Sequence, residues 1–149
     1  MSLKLKFFLL IAISLWLTGI FIEFLISYFH ELSFAYPFSN RIYSTVCHQQ
    51  VEKLIVFNGH TSLVCSRCSG IYFGGFISSL ILLFVKQLKL KNGKYILLAA
   101  IPMLLDVLLY SVGIYTYSKF MALITGFLFG FAGIVYIYNG FQILNEKND

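Results

Sequence analysis

The chain has 149 residues, of which 59% are hydrophobic and only 11% charged, and its mean hydropathy is +0.84. A soluble domain carries about 25% charged residues, so these figures exclude an ordinary water-solvated fold and point to a helical bundle in lipid. The formal net charge of +5 does not indicate nucleic acid, because the basic residues gather in short segments beside apolar runs, the pattern that sets membrane orientation.

Four apolar runs follow in order. The first, about 7–29, comes after Lys4 and Lys6. It is longer than the ~7–15-residue core of a secretory signal and has no small-residue cleavage site, so it reads as a retained span. The others cover about 69–85, 95–115 and 120–141, each reaching or approaching the ~20 residues needed to cross ~30 Å of hydrocarbon. The expected fold is all-α: a polytopic membrane protein with four transmembrane helices in one membrane domain, 1–149, and an outer loop at about 30–68. The high aromatic content, 18% with ten tyrosines, suits interfacial belts.

Orientation is read from Lys and Arg. With the N-terminus inside, the inner segments hold Lys4, Lys6, Lys86, Lys89, Lys91, Lys94 and Lys147, and the outer ones Arg41, Lys53, Arg67 and Lys119. The excess places both termini in the cytoplasm of a multi-pass protein of the cell membrane. Asn92-Gly93 is expected to supply positive φ to a tight cytoplasmic turn at Leu88–Lys94.

Gly70, Gly74 and Ser78 fall four apart in the second run, and Ala122, Gly126 and Gly130 do the same in the fourth. Such spacing lets backbones approach closely in lipid, so these two helices are expected to pack together. Two carboxylates stand inside apolar runs. At ~1.5 Å per residue, Glu23 lies roughly 25 Å and Asp106 roughly 17 Å from the inner edge. Glu23 is placed to snorkel to the outer boundary. Asp106 lies near mid-depth and needs a partner; Pro102 and Tyr110, one turn away on either side, are its neighbours at helical spacing.

The chemistry concentrates in the stretch 47–75, which holds all three cysteines and two of the three histidines. Cys65 and Cys68 form a C-x-x-C; Cys47-His48 lies upstream and His60 between. Three chemistries fit. Cys47, Cys65 and Cys68 with His48, or with His60 in its place, supply the four ligands of a tetrahedral zinc-type site. Alternatively, Cys65 and Cys68 form a redox pair whose thiol pKa is lowered by a helix N-terminus and Arg67. Or a disulfide from Cys47 staples the loop and leaves one thiol free. An odd cysteine count suits three thiolates plus a histidine better than pairing. His30 reads as a solvated interfacial residue, Arg67 as an interfacial anchor, and Gln49 as a neighbour without chemistry of its own.

The C-x-x-C in the first outer loop resembles the disulfide-forming quinone reductases of the DsbB type, which are four-helix membrane proteins. Those carry a second cysteine pair in the second outer loop, and here the loop near 115–119 has none. A closer resemblance rests on Cys47-His48-Gln49 and on Cys65-Ser66-Arg67-Cys68-Ser69-Gly70-Ile71-Tyr72-Phe73-Gly74. These resemble the CHQ and C-x-R-C-x-G-I-Y-x-G elements of domain-of-unknown-function family 2085, small bacterial and archaeal membrane proteins. Pro102 to Asp106 and Thr125-Gly126 match that family's P-x-x-x-D and T-G elements. Lys53 stands where an arginine is usual, and Leu63 where a proline often precedes the cysteines. The resemblance implies no activity, but it associates Asp106 with the Cys/His residues at one site.

The expected function is therefore a zinc-type site at the extracytoplasmic membrane edge, either structural or hydrolytic, with Asp106 beside it as a supporting carboxylate or a general base. A thiol–quinone oxidoreductase with a quinone slot near Arg67 is the alternative. A small transporter or channel subunit using Glu23 and Asp106, assembled as a homo-oligomer, is a further one. Whether the protein is an enzyme stays open.

Overall fold

The computed structural model of the protein describes residues 3–85 and 93–146. Three helices are long and apolar enough to cross a membrane: α4 (Ser66–Phe84), α5 (Lys94–Ser111) and α6 (Lys119–Glu146). A bent pair, α1 (Leu3–Ile20) and α2 (Ile22–Tyr28), makes a fourth crossing if its two helices count as one broken span. The remaining elements are α3 (Tyr36–Val46) and an antiparallel hairpin of β1 (Leu54–Phe57) and β2 (His60–Cys65). The protein is thus a polytopic helical membrane protein, with a small folded cap between the first and second crossings.

The α4–α6 pair is the best-packed part of the bundle. A Cβ on Gly70 would run into the Leu123 carbonyl, and one on Gly74 into that of Phe127. In the other direction, Gly126 faces the Arg67 carbonyl and Gly130 that of Ile71. Glycine is required at all four because the facing helix backbone occupies the side-chain position, and such close approach gains dispersion and Cα–H···O contacts in lipid. The interlock joins the glycines expected from the sequence.

The first apolar run is not one straight span. It bends by 71° between α1 and α2, at Phe21 (φ −103°, ψ 26°). Just before the bend, the Tyr43 hydroxyl fills the space a Cβ would need at Gly19 and donates to the Trp16 carbonyl at 2.7 Å. The bend brings Glu23 under the hairpin. There its Oε2 accepts from the Thr61 N–H and, at 2.8 Å, from the Thr61 hydroxyl, while Oε1 accepts from Tyr36 at 3.0 Å. Glu23 therefore does not snorkel; it clamps β2 and α3 onto α2.

The hairpin turns at Asn58-Gly59, both with positive φ (49° and 80°), as a two-residue turn matched to strand twist requires. A register shift between Leu54 and Val56 is bridged by Ser62, which accepts from the Ile55 N–H at 3.0 Å and donates to the Val64 carbonyl at 2.8 Å. At the far end of the bundle, Gly93 has φ −56°. It begins α5 in helical geometry rather than supplying the expected positive φ, and Asn92 lies outside the described residues.

Two stability predictions follow from these contacts. Gly74→Leu should lower detergent stability by about 1–3 kcal/mol or more, the scale of an overpacked contact. Gly133→Leu should change it little, because nothing lies within 4 Å of a Cβ there; equal losses at both positions would contradict the interlock. Glu23→Ala leaves three donors without their acceptor, and amide exchange at Thr61 should then accelerate by about tenfold.

Candidate metal centre

Three different elements bring the cysteines together. Cys47 ends α3 in extended geometry (φ −143°, ψ 138°). Cys65 closes β2 and stands at the N-cap of α4, and Cys68 lies in the first turn of α4. Their sulfur atoms all lie within 4.8 Å of one another, and all three are free thiols. Three thiolates around a tetrahedral ion at ~2.3 Å are ~3.8 Å apart, so the spacing fits such an ion with small adjustments. The Cys65 N–H already donates to the Cys47 sulfur at 3.2 Å.

The turn after Cys47 depends on Gln49. Its φ is +47°, uncommon outside glycine and its small polar substitutes. Its side-chain amide donates to the Leu63 carbonyl (2.9 Å) and to Asn40 (3.0 Å). Gln49 thus ties the Cys47 segment to β2, a role that its neighbours in sequence do not reveal.

The cysteines line a cavity of about 290 Å³ together with exposed His48 and half-buried Lys53 and Arg67. Among the described residues, the thiol triad is the only Cys/His/Asp/Glu group gathered closely enough to share an ion. His48 borders the cavity outside that group. His60 is not brought to it: it pairs with Phe57 beside the hairpin turn, five residues along β2 from Cys65 and hence about 17 Å away. Its ring lies near Phe24, in a separate cavity with Glu23 and His30.

Electrostatics favour a thiolate at Cys65. The Cys68 thiol donates to its sulfur, and backbone N–H groups of the first helical turn with the Cys47 thiol add to this. Together they outweigh burial and hold Cys65 well below the ordinary thiol range.

Arg67, between the two α4 cysteines, forms an ion pair with Asp106. Asp106 is the buried residue of α5, a helix otherwise faced by exposed Leu97, Leu98, Ile101, Leu104 and Leu108. Its second oxygen accepts from the Tyr115 hydroxyl. The partners expected at helical spacing are therefore not the ones found: Tyr110 instead faces the ammonium of Lys53, which is 4.5 Å from its ring centroid and 5.5 Å from that of Tyr117. Ser66 holds the Lys53 segment by donating to its carbonyl at 3.0 Å. Burial raises the Tyr117 hydroxyl to about 12, so it stays a proton donor at any ordinary pH.

The cavity beside Arg67 is lined in large part by polar side chains, among them His48, Gln49, Gln50 and Lys53, unlike the mostly apolar slot a quinone ring requires. The strongly apolar cavity, about 70 Å³, lies between α1, α4 and α6 and is lined by Lys6, Leu82 and Tyr138 among others. Lys6 closes it by donating to the Leu82 carbonyl at 2.7 Å.

A family profile described as a predicted membrane protein, DUF2085, matches residues 47–136. An uncharacterized protein of Methanocaldococcus jannaschii is 33% identical over 141 residues, covering 89% of this chain and 90% of that one. An uncharacterized protein of Methanothermobacter thermautotrophicus is 52% identical over 31 residues, 21% of this chain and 28% of that one. No solved structure matches.

In reduced, metal-free protein, iodoacetamide should modify Cys65 first, and the reaction should persist at pH 6–7, where an ordinary thiol of pKa about 8.5 is slow. Because the thiolate is the reactive form, the rate should fall only as pH drops through the lowered pKa. Mass spectrometry of labelled peptides would contradict this if all three cysteines titrated together near pH 8–9.

Proposed function

This chain belongs to the DUF2085 family of predicted membrane proteins, and on that footing we propose that Cys47, Cys65 and Cys68 hold a zinc-type ion at the membrane edge. The observation that carries the reading is the convergence of three sulfurs from three separate elements within 4.8 Å. The fourth position belongs to His48 or to a ligand entering from the cavity. His60 drops out of the set because of its place beside the hairpin turn. The positive-inside distribution of Lys and Arg supports an extracytoplasmic location for the site.

Three thiolates on a divalent ion leave a net charge of about −1, which disfavours loss of a proton from a bound water compared with a neutral three-imidazole set. The site is therefore better suited to holding the metal and exchanging a ligand than to hydrolysis. Asp106 supports it indirectly: with both oxygens engaged by Arg67 and Tyr115, it fixes the residue between the two α4 cysteines instead of acting as a base. The same two bonds argue against an ion path through Asp106, as the Thr61 and Tyr36 bonds do for Glu23. Against the redox alternative stand the polar surroundings of Arg67 and the single C-x-x-C.

Elemental mass spectrometry on detergent-purified protein should find about one zinc per chain, with three thiols that react only after chelation. Cys47→Ser or Cys68→Ser should lower the metal to below about 0.2 per chain, whereas His60→Ala should retain most of it. Absence of metal in freshly reduced wild type after zinc addition, or retention by both cysteine variants, would overturn the reading.

A further inference from the structure

Beside the thiols, the structure gathers hydrogen-bond donors that lack acceptors. Lys53 makes no ion pair among the described residues, where Arg67–Asp106 is the salt bridge present. Its ammonium is held instead against the rings of Tyr110 and Tyr117. The Arg67 guanidinium lies 5.9 Å from the Tyr117 centroid on its own account, so two cations flank one aromatic ring. Arg67 uses one terminal nitrogen on Asp106, while its Nε–H is buried without an acceptor. The Tyr117 hydroxyl is likewise buried without a partner. Ser66, the polar side chain close to it, donates its own proton to the Lys53 carbonyl, and its oxygen is not placed in hydrogen-bond geometry to accept from Tyr117.

Buried donors left unpaired are destabilising, and their concentration in one place calls for an acceptor. Each of these groups is a donor, and the two cations border the same cavity of about 290 Å³ as the cysteines. Arg67 also lies in the first turn of α4, whose N-terminus adds partial positive charge. Its position at the start of a membrane-crossing helix sets this cluster at the depth of lipid phosphates.

We propose that Lys53, Arg67 and Tyr117 form a binding site for a phosphate group at the edge of the thiol cavity. The group is either that of an anionic phospholipid or that of a small soluble phosphate. Lys53 supplies the point charge, Arg67 Nε–H and the Tyr117 hydroxyl supply directed hydrogen bonds, and Asp106 keeps the guanidinium in place. The inference rests on the metal reading in one respect: a divalent ion removes two negative charges from the triad beside the site, lowering repulsion of an anion.

The test is calorimetric titration of the zinc-supplemented protein in phosphate-free maltoside detergent, with metal content measured on the same sample. The two probes are inorganic phosphate and dioctanoyl phosphatidylglycerol. Binding of either, weakened by at least about tenfold in Lys53→Gln and also weakened in Tyr117→Phe, which keeps the ring, is the expected result. Binding of the lipid alone assigns a headgroup, and binding of both, or of inorganic phosphate alone, assigns a soluble anion. No binding of either probe at about 10 mM, or binding equal in wild type and both variants, overturns the proposal, and with one zinc per chain it leaves the metal reading intact. Lys53-dependent binding in protein that takes up no zinc supports the phosphate site and overturns the metal reading; neither binding nor zinc overturns both.

Discussion

The buried pair between Arg67 and Asp106 is the contact on which the site depends. An aspartate within an apolar helix is unfavourable by about 2.5–3.5 kcal/mol on insertion scales, and its one oppositely charged partner among the described residues is Arg67. Removing either partner would leave an isolated charge in a medium of low dielectric, which is worse than never having had the pair. The pair also explains how α5 is placed. Only 6% of its span is buried, so it is held by its packing on α6 and by this one polar anchor. Because Arg67 lies between Cys65 and Cys68, the position of α5 and the geometry of the thiols are coupled through one side chain.

The glycine interlock works on the same turn from the other side. Gly126 brings the α6 backbone against the Arg67 carbonyl, so the first turn of α4 is fixed at its backbone by α6 and at its side chain by α5. The cap contributes the third constraint. Glu23 clamps the hairpin, Gln49 ties the Cys47 segment to Leu63, and Cys65 is thereby delivered to the end of β2 beside Cys47. Three cysteines separated by up to 21 positions thus share one corner because each is the terminus of an element whose other contacts are already made.

Much of this was legible in the sequence wherever the cause is local or periodic. The apolar runs mark the crossings, the four-residue glycine spacing marks the α4–α6 seam, and Cys47 with Cys65-x-x-Cys68 marks the thiol corner. The bend at Phe21 was not legible, because its reason lies at Thr61, 38 positions from Glu23. Asp106 misled for the same reason: its partner is not at i±4 but on another helix, 39 positions away. The hairpin is a different matter. Asn58-Gly59 between LIVF and HTSLVC is a strong hairpin signal, whereas the same dipeptide at Asn92-Gly93 drew attention to a turn where Gly93 is helical. Recognising the hairpin would also have moved His60 away from the cysteines, since a strand carries its two ends apart.

The most direct measurement is zinc K-edge X-ray absorption on purified protein carrying one equivalent of zinc. Three sulfur neighbours at about 2.3 Å with one lighter nitrogen or oxygen neighbour at about 2.0 Å are predicted. A spectrum with only nitrogen and oxygen neighbours would contradict the thiol triad as the metal's seat.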